Sequence, residues 1–227
     1  MAVAKLILRK IKRLAHKIFG TKIDELYWQF RHIFDRKWAE SYISPESINH
    51  PHRKLLIETI SKYYPFEGVL EIGCASGPNL YLLAKKFPTT KFYGIDISQK
   101  AIKTGQSYFK KENIENVFLE SGKAEDLKKF PDKSINLIFT DATLIYEGPD
   151  KIESIIKEMI RVAKKSIILC EQHTESSSIF YKDHWIHNYN LLFGKFLSQE
   201  KIKLTKIPPQ IWRGDWEELG YIIEVIL

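Results

Sequence analysis

One stretch constrains this chain more than any other: Val69-Leu-Glu-Ile-Gly-Cys-Ala-Ser-Gly-Pro-Asn79. Residues 69–72, apolar apart from Glu71, read as a short strand. Gly73 then lets the backbone turn sharply and lets a ligand approach without meeting a Cβ. A helix follows over 79–87. A ligand held by such a turn lies at the carboxyl edge of a sheet, near a helix N-terminus. The dinucleotide fingerprint places glycines at G-x-G-x-x-G. Here Gly73 and Gly77 stand alone, Ala75 fills the middle place and Pro78 follows, so the pattern departs from that fingerprint.

The rhythm that follows is regular. Strands read over 92–97, 117–119, 135–140 and 166–170, with helices over 99–111 and 151–163. Alternating strands and helices predict an α/β, doubly wound, mostly parallel sheet with helices on both faces. After Glu171 the rhythm changes to a helix over 183–196, then strands over 201–207 and 221–227. Only the loop 208–216 and a few residues separate those strands, too little for a helical crossover, so the pair should be an antiparallel hairpin. That makes seven strands.

A second chemical element is Tyr93-Gly-Ile-Asp96-Ile97-Ser98. An acid at the end of the second strand can accept from both hydroxyls of a ribose. Asp96 lies 23 residues past Gly73, the separation of one βαβ step. The plainer reading is an acid near a helix N-cap, although Ser98 is the better cap.

These features together resemble the class I S-adenosylmethionine-dependent methyltransferases, a Rossmann-like fold. An acid then Gly-x-Gly-x-Gly forms motif I of that family, with Ala75 here replacing the second Gly. The resemblance covers roughly 66–170, and its nearest likeness is the small-molecule group. It implies S-adenosyl-L-methionine as cofactor, held by Glu71, Gly73, Ala75, Gly77, Asn79, Asp96 and Ile97. It also implies an adenine edge held by Ala124 and Glu125 in Ser121-Gly-Lys-Ala-Glu125, where Lys123 stands at a place many relatives give to Asp. Asp141 and Tyr146, after the fourth strand, would flank the methionine end and the acceptor. Tyr146 reads equally as core.

Methyl transfer of this kind is an in-line displacement, so the enzyme must chiefly hold the acceptor atom in line. A hydroxyl acceptor also needs a base. The catalytic candidates are His173 and Glu171, at the carboxyl end of the fifth strand, with Asp141. The plainer reading of His173, and the favoured one, is a loop histidine facing solvent. His184 and His187, three apart on the expected helix, share a face, but two histidines and loose acids make no ligand set, and no metal is expected. The loop Trp212-Arg-Gly-Asp-Trp216 offers aromatic walls to a planar or anionic substrate, or anchors the hairpin.

Charge divides the chain. The net charge is +7, and six of those charges sit in residues 1–20: Lys5, Arg9, Lys10, Lys12, Arg13 and Lys17, with no acid. Ile7, Ile11, Leu14 and Ile18 recur at helical spacing between them, a basic amphipathic arm. Residues 5–19 suit an anionic membrane surface, or a helix docked on the body with a solvated basic face. No apolar run approaches the roughly 18 residues of a membrane span. The remaining body is nearly neutral, which argues against a nucleic-acid groove. Residues 21–65 form a helical cap rich in aromatics (Tyr27, Trp28, Phe30, Phe34, Trp38, Tyr42), either core packing or a lid; 66–227 form the catalytic domain. Cys74 and Cys170 lie far apart in apolar runs, which suits a reducing, cytoplasmic setting, at or near the cytoplasmic face of a membrane. The expected activity is methyl transfer to O or N of a small-molecule or lipid-linked acceptor. RNA or protein methylation, a nicotinamide oxidoreductase and a non-catalytic adenosyl-binding protein are the alternatives.

Overall fold

The computed structural model describes residues 22–227, so the basic arm lies outside the described residues. Four helices come first: α1 (Lys22–Phe34), α2 (Trp38–Ser41), α3 (Pro45–Ile48) and α4 (Pro51–Ser61). Seven strands then build one sheet: β1 (Gly68–Ile72), β2 (Lys91–Asp96), β3 (Val117–Ser121), β4 (Ile135–Asp141), β5 (Ala163–Gln172), β8 (Ile202–Lys206) and β9 (Gly220–Ile226). Their order is β3-β2-β1-β4-β5-β9-β8. The five strands from β3 to β5 in that order run parallel. β9 runs antiparallel to β5 and β8 antiparallel to β9. The predicted doubly wound sheet with an antiparallel finish is therefore the observed one.

Successive side chains on a strand point to opposite faces, and this sheet buries both. Leu70, Ile72, Ile167 and Leu169 join one core with Ile155, Ile156 and Met159 of α7 (Ile152–Val162) and Phe193 of α8 (Tyr189–Gly194). Val69, Phe139, Ile168 and Cys170 join the other, with Leu56 and Ile60 of α4, Leu80 and Leu83 of α5 (Pro78–Lys86) and Phe109 of α6 (Gln99–Lys111). Burial on both faces is why these strands read as apolar runs rather than alternating ones.

One sequence expectation fails. The helix expected over 183–196 begins only at Tyr189. Before it lie β6 (Ile179–Tyr181) and β7 (His184–Ile186), a two-stranded hairpin. Aromatic and β-branched residues favour the strands, and Lys182 at φ 54° makes the turn. Asn188 then caps α8 by accepting from the Leu191 amide at 3.0 Å.

Candidate active site

The strand order reverses beside β1, between its neighbours β2 and β4. Ligand crevices of open α/β sheets form at such a switch point, outside the carboxyl ends of the strands. A cleft opens there, with about 1180 Å³ of empty space including its mouth. The sheet edge supplies its floor, and α1, α2 and α4 lean over it.

The floor starts at the Gly73–Gly77 turn. Gly73, Ala75 and Gly77 all take positive φ, at 72°, 48° and 80°. A Cβ on Gly73 would sit 2.2 Å from Thr143 Oγ1, so glycine is required there. Ala75 accepts a conformation that favours glycine, at a cost of order 1 kcal/mol. Asp96 supports it: Oδ2 accepts from the Ala75 amide at 2.9 Å and Oδ1 from the Ser98 amide at 2.8 Å. Ser98 caps α6 through the Ala101 amide, as its place in the sequence predicts.

Three carboxylates line this floor, and their environments separate them. Burial pushes Asp96 up to about 6 against the amides of Ser98 and Ala75. Burial pushes Glu71 up to about 8, against a hydrogen bond from Asn79 Nδ2 at 2.7 Å. Burial acts on Asp141 in the same direction, but neighbours outweigh it and hold the carboxyl well below the usual range. Those neighbours reach one oxygen, Oδ2: His52 Nε2 at 3.1 Å, Arg53 Nη1 at 2.8 Å and Asn79 Nδ2 at 2.9 Å. Arg53 also donates to Asn79 Oδ1 and to the Ser47 carbonyl, both at 2.9 Å. The network thus ties α3 and α4 to the ends of β1 and β4.

The walls are aromatic and ionic. Trp28, Trp38, Tyr42, Tyr146 and Trp212 all face the cleft. Trp28 meets Tyr146 edge-on at 4.6 Å between centroids. Trp212 stacks on His52 at 3.9 Å and on Trp216 at 3.7 Å. At the rim, Glu25 of α1 pairs with Lys123 at 2.7 Å and with Lys151, and Glu125 sits 3.6 Å from Lys151.

Of the cofactor candidates, Glu71, Gly73, Ala75, Asn79, Asp96, Ile97, Ala124, Glu125, Asp141 and Tyr146 line this cleft. Gly77 does not line it; it turns the chain into α5, packed so that a Cβ would lie 2.6 Å from Phe109. The candidate bases also stand apart. Glu171 is buried beneath the cleft, where Oε1 accepts from Thr140 Oγ1 and the amides of Thr143 and Leu144 at 2.8–3.0 Å. It pins the loop after β4 rather than facing a substrate. His173 is neither solvent-facing nor at the cleft: it is buried between Tyr189 and Tyr221 and touches Glu175 at 3.2 Å. β5 runs on to Gln172, past the expected residue 170, which carries His173 away from the ligand edge. His184 and His187 do not share a face either, because the chain there is extended. His184 bonds Gln172 and His187 bonds the Glu147 carbonyl.

Sequence reasoning missed His52 and Arg53, which stand 88–89 residues from their partner Asp141. The signal was faint: a His50-Pro-His-Arg53 helix start with no visible partner. Of the cap aromatics, expected chiefly as core, Trp28, Trp38 and Tyr42 line the cleft, and Trp38 is buried in a small core cluster as well.

These residues fit an adenosyl sulfonium ligand. Asp96 is an acceptor pair at the end of β2, the turn brings bare backbone to the cleft, and Glu71 keeps Oε2 buried without a partner beside it. Comparison with known proteins agrees. Residues 67–224 match the family model described as "Methyltransferase domain". A probable cobalt-precorrin-6B C(15)-methyltransferase (decarboxylating) of Methanococcus maripaludis is 32% identical over 152 residues, 63% of this chain and 78% of that one. A tRNA (guanine-N(7)-)-methyltransferase of Chloroherpeton thalassium is 32% identical over 106 residues, 45% of this chain and 46% of that one. The fold matches magnesium protoporphyrin IX methyltransferase of Synechocystis, solved with the cofactor bound, at a TM-score of 0.64 over 91% of this chain and 96% of that one, with 15% identity. The chain belongs to this methyltransferase-domain family and is an S-adenosylmethionine-dependent methyltransferase.

Proposed function

We propose that the acceptor is a small or lipid-linked molecule, methylated at O or N. The observation that carries this reading is the enclosure: five aromatic side chains and helices α1, α2 and α4 close over the acid-lined floor. Such a cleft suits a compact, partly apolar acceptor rather than a polymer. The bound cofactor supplies an activated methyl on a sulfonium with its own leaving group. The chain supplies position. In this reading Asp96 takes the ribose, Ala124 and Glu125 the adenine edge, and Asp141 with Tyr146 the methionine end. Trp212 and His52 then bound the acceptor. Glu171 and His173 keep structural roles, and Asp141, held ionised against Arg53, orients His52, the acid–base candidate at the floor.

Methylation of RNA or protein is the second reading, favoured by the tRNA-modifying relative. Against it, both rim lysines, Lys123 and Lys151, are already paired with Glu25 and Glu125, so they offer no cation to a phosphate backbone. In the first reading, of a small or lipid-linked acceptor, the basic arm, residues 5–19, brings the enzyme to an anionic membrane surface at its cytoplasmic face. Among the described residues no helix is long and apolar enough to cross a membrane. The test is incubation with methyl-labelled cofactor and cell extract, followed by fractionation. Label in the small-molecule or organic-soluble fraction is expected. Label confined to RNA or protein overturns the reading.

A further inference from the structure

Helix α1 is turned inside out. Residues three and four apart share a helix face. On its inner face Asp24 is 1% exposed, Glu25 makes the rim ion pairs and Trp28 lines the cleft. Arg31 lies over the rings of Trp28 and Trp38 at 4.7 and 5.3 Å. On its outer face Leu26, Phe30 and Ile33 are 50%, 42% and 61% exposed. A surface helix of a soluble protein does the opposite, turning its acids to water and its apolar stripe inward. Here the inner face is committed to the cleft, and three large apolar side chains are left in water.

The charge around that stripe identifies what covers it. Lys22, Arg36 and Lys37 are exposed at its two ends. The twenty residues before α1 add six cations and no acid. A second copy of the chain would bring like charges together. An anionic bilayer accepts both the cations, at its headgroups, and the apolar stripe, at the headgroup–acyl boundary.

We infer that the outer face of α1, through Leu26, Phe30 and Ile33, docks on an anionic lipid bilayer. The inference extends the membrane reading of the arm given above, and uses different residues, so the two can fail separately. Because the same helix roofs the cleft, docking holds that roof against the lipid surface, where a lipid-borne acceptor resides.

The test is co-sedimentation of the full chain with vesicles of phosphatidylcholine, with and without phosphatidylglycerol. Three variants accompany the wild type: the triple Leu26→Gln, Phe30→Gln and Ile33→Gln; the single Phe30→Gln; and an arm variant with Lys5, Arg9, Lys10 and Lys12 changed to Gln. The wild type should pellet with anionic vesicles only. The triple variant should partition roughly tenfold more weakly while binding S-adenosylmethionine as the wild type does. Phe30→Gln should lose roughly threefold, and it decides the matter where the triple variant fails to bind cofactor. Undiminished pelleting of the folded α1 variants overturns the inference, even where the arm variant is released. A wild type that ignores anionic vesicles overturns both readings. A concentration-dependent dimer, without vesicles, that the α1 variants abolish assigns the face to a second copy and also overturns it.

Discussion

The floor and the roof of the cleft are built on different physics. The floor is a set of buried, short-range polar contacts at strand ends, where three carboxylates are held in three different states. The roof is aromatic packing and ion pairs, in which α1 contributes Trp28 and Glu25. Under the proposed function the floor holds the methyl donor, whereas the roof bounds the acceptor. Substitutions can break that division in order of size.

The largest effect belongs where the two regions are joined. Arg53→Met removes the guanidinium paired with Asp141 and leaves that buried carboxylate to His52 and Asn79 alone. Losing one partner of a buried pair costs about 3–5 kcal/mol, which in a chain of this size lowers Tm by roughly 10 °C. Calorimetry of the cofactor-free protein checks this. A loss of only a degree or two would mean that floor and roof are not tied through Arg53.

Asp96→Ala comes next and concerns the floor alone. It should weaken S-adenosylmethionine binding about tenfold or more, because hydrogen bonds to a charged group are worth roughly 1.5–3 kcal/mol. Titration calorimetry reads it, and unchanged affinity would remove the ribose role.

The third effect is pH dependence. Glu71 titrates in the folded chain at about 8, against an ordinary value of 4.5. Between those limits the folded state holds a proton that the unfolded state has released, so stability falls as pH rises from 4.5 to about 8. Asp141 acts oppositely, but its contribution is lost only in strong acid, below its ordinary 3.8, and is constant across this window. Glu71→Gln keeps an acceptor for Asn79 and cannot ionise. Its Tm should change between pH 5 and pH 8 by several degrees less than that of the wild type. Parallel curves would show that Glu71 is not held protonated.

The smallest effect concerns the roof. Glu25 is partly exposed, so its pairs contribute at most about 1 kcal/mol. Glu25→Gln should leave Tm nearly unchanged and release the cofactor roughly two- to fivefold faster in stopped-flow displacement. High salt should reproduce that release in the wild type. A salt-independent release rate would show that the ion pairs do not hold the roof.

The same division explains what could be read from the sequence. The Val69–Asn79 turn and the place of Asp96 were legible because local rules produce them: one strand, one turn, one capped helix, at βαβ spacing; the Ala124–Glu125 segment was reached only through the family resemblance. The antiparallel finish was legible from the short connection between β8 and β9. His52 and Arg53 were not, because their meaning lies in contacts with a strand 88–89 residues away. Trp28 and Trp38 were ambiguous, since helical periodicity shows that side chains share a face but not whether that face meets a core or a cleft. The β6–β7 hairpin was misread as helix because His184 and His187 stand at helical spacing and the turn at Lys182 uses no glycine or proline. His173 was misplaced because the strand runs two residues past 170, which a short apolar run does not announce.

The direct test of the central claim is titration calorimetry of the full chain with S-adenosylmethionine and, separately, with NADH. One-to-one binding of S-adenosylmethionine, weakened by Asp96→Ala, is expected, and none of NADH. Absence of S-adenosylmethionine binding, or NADH bound equally well at the same carboxylate, would contradict it.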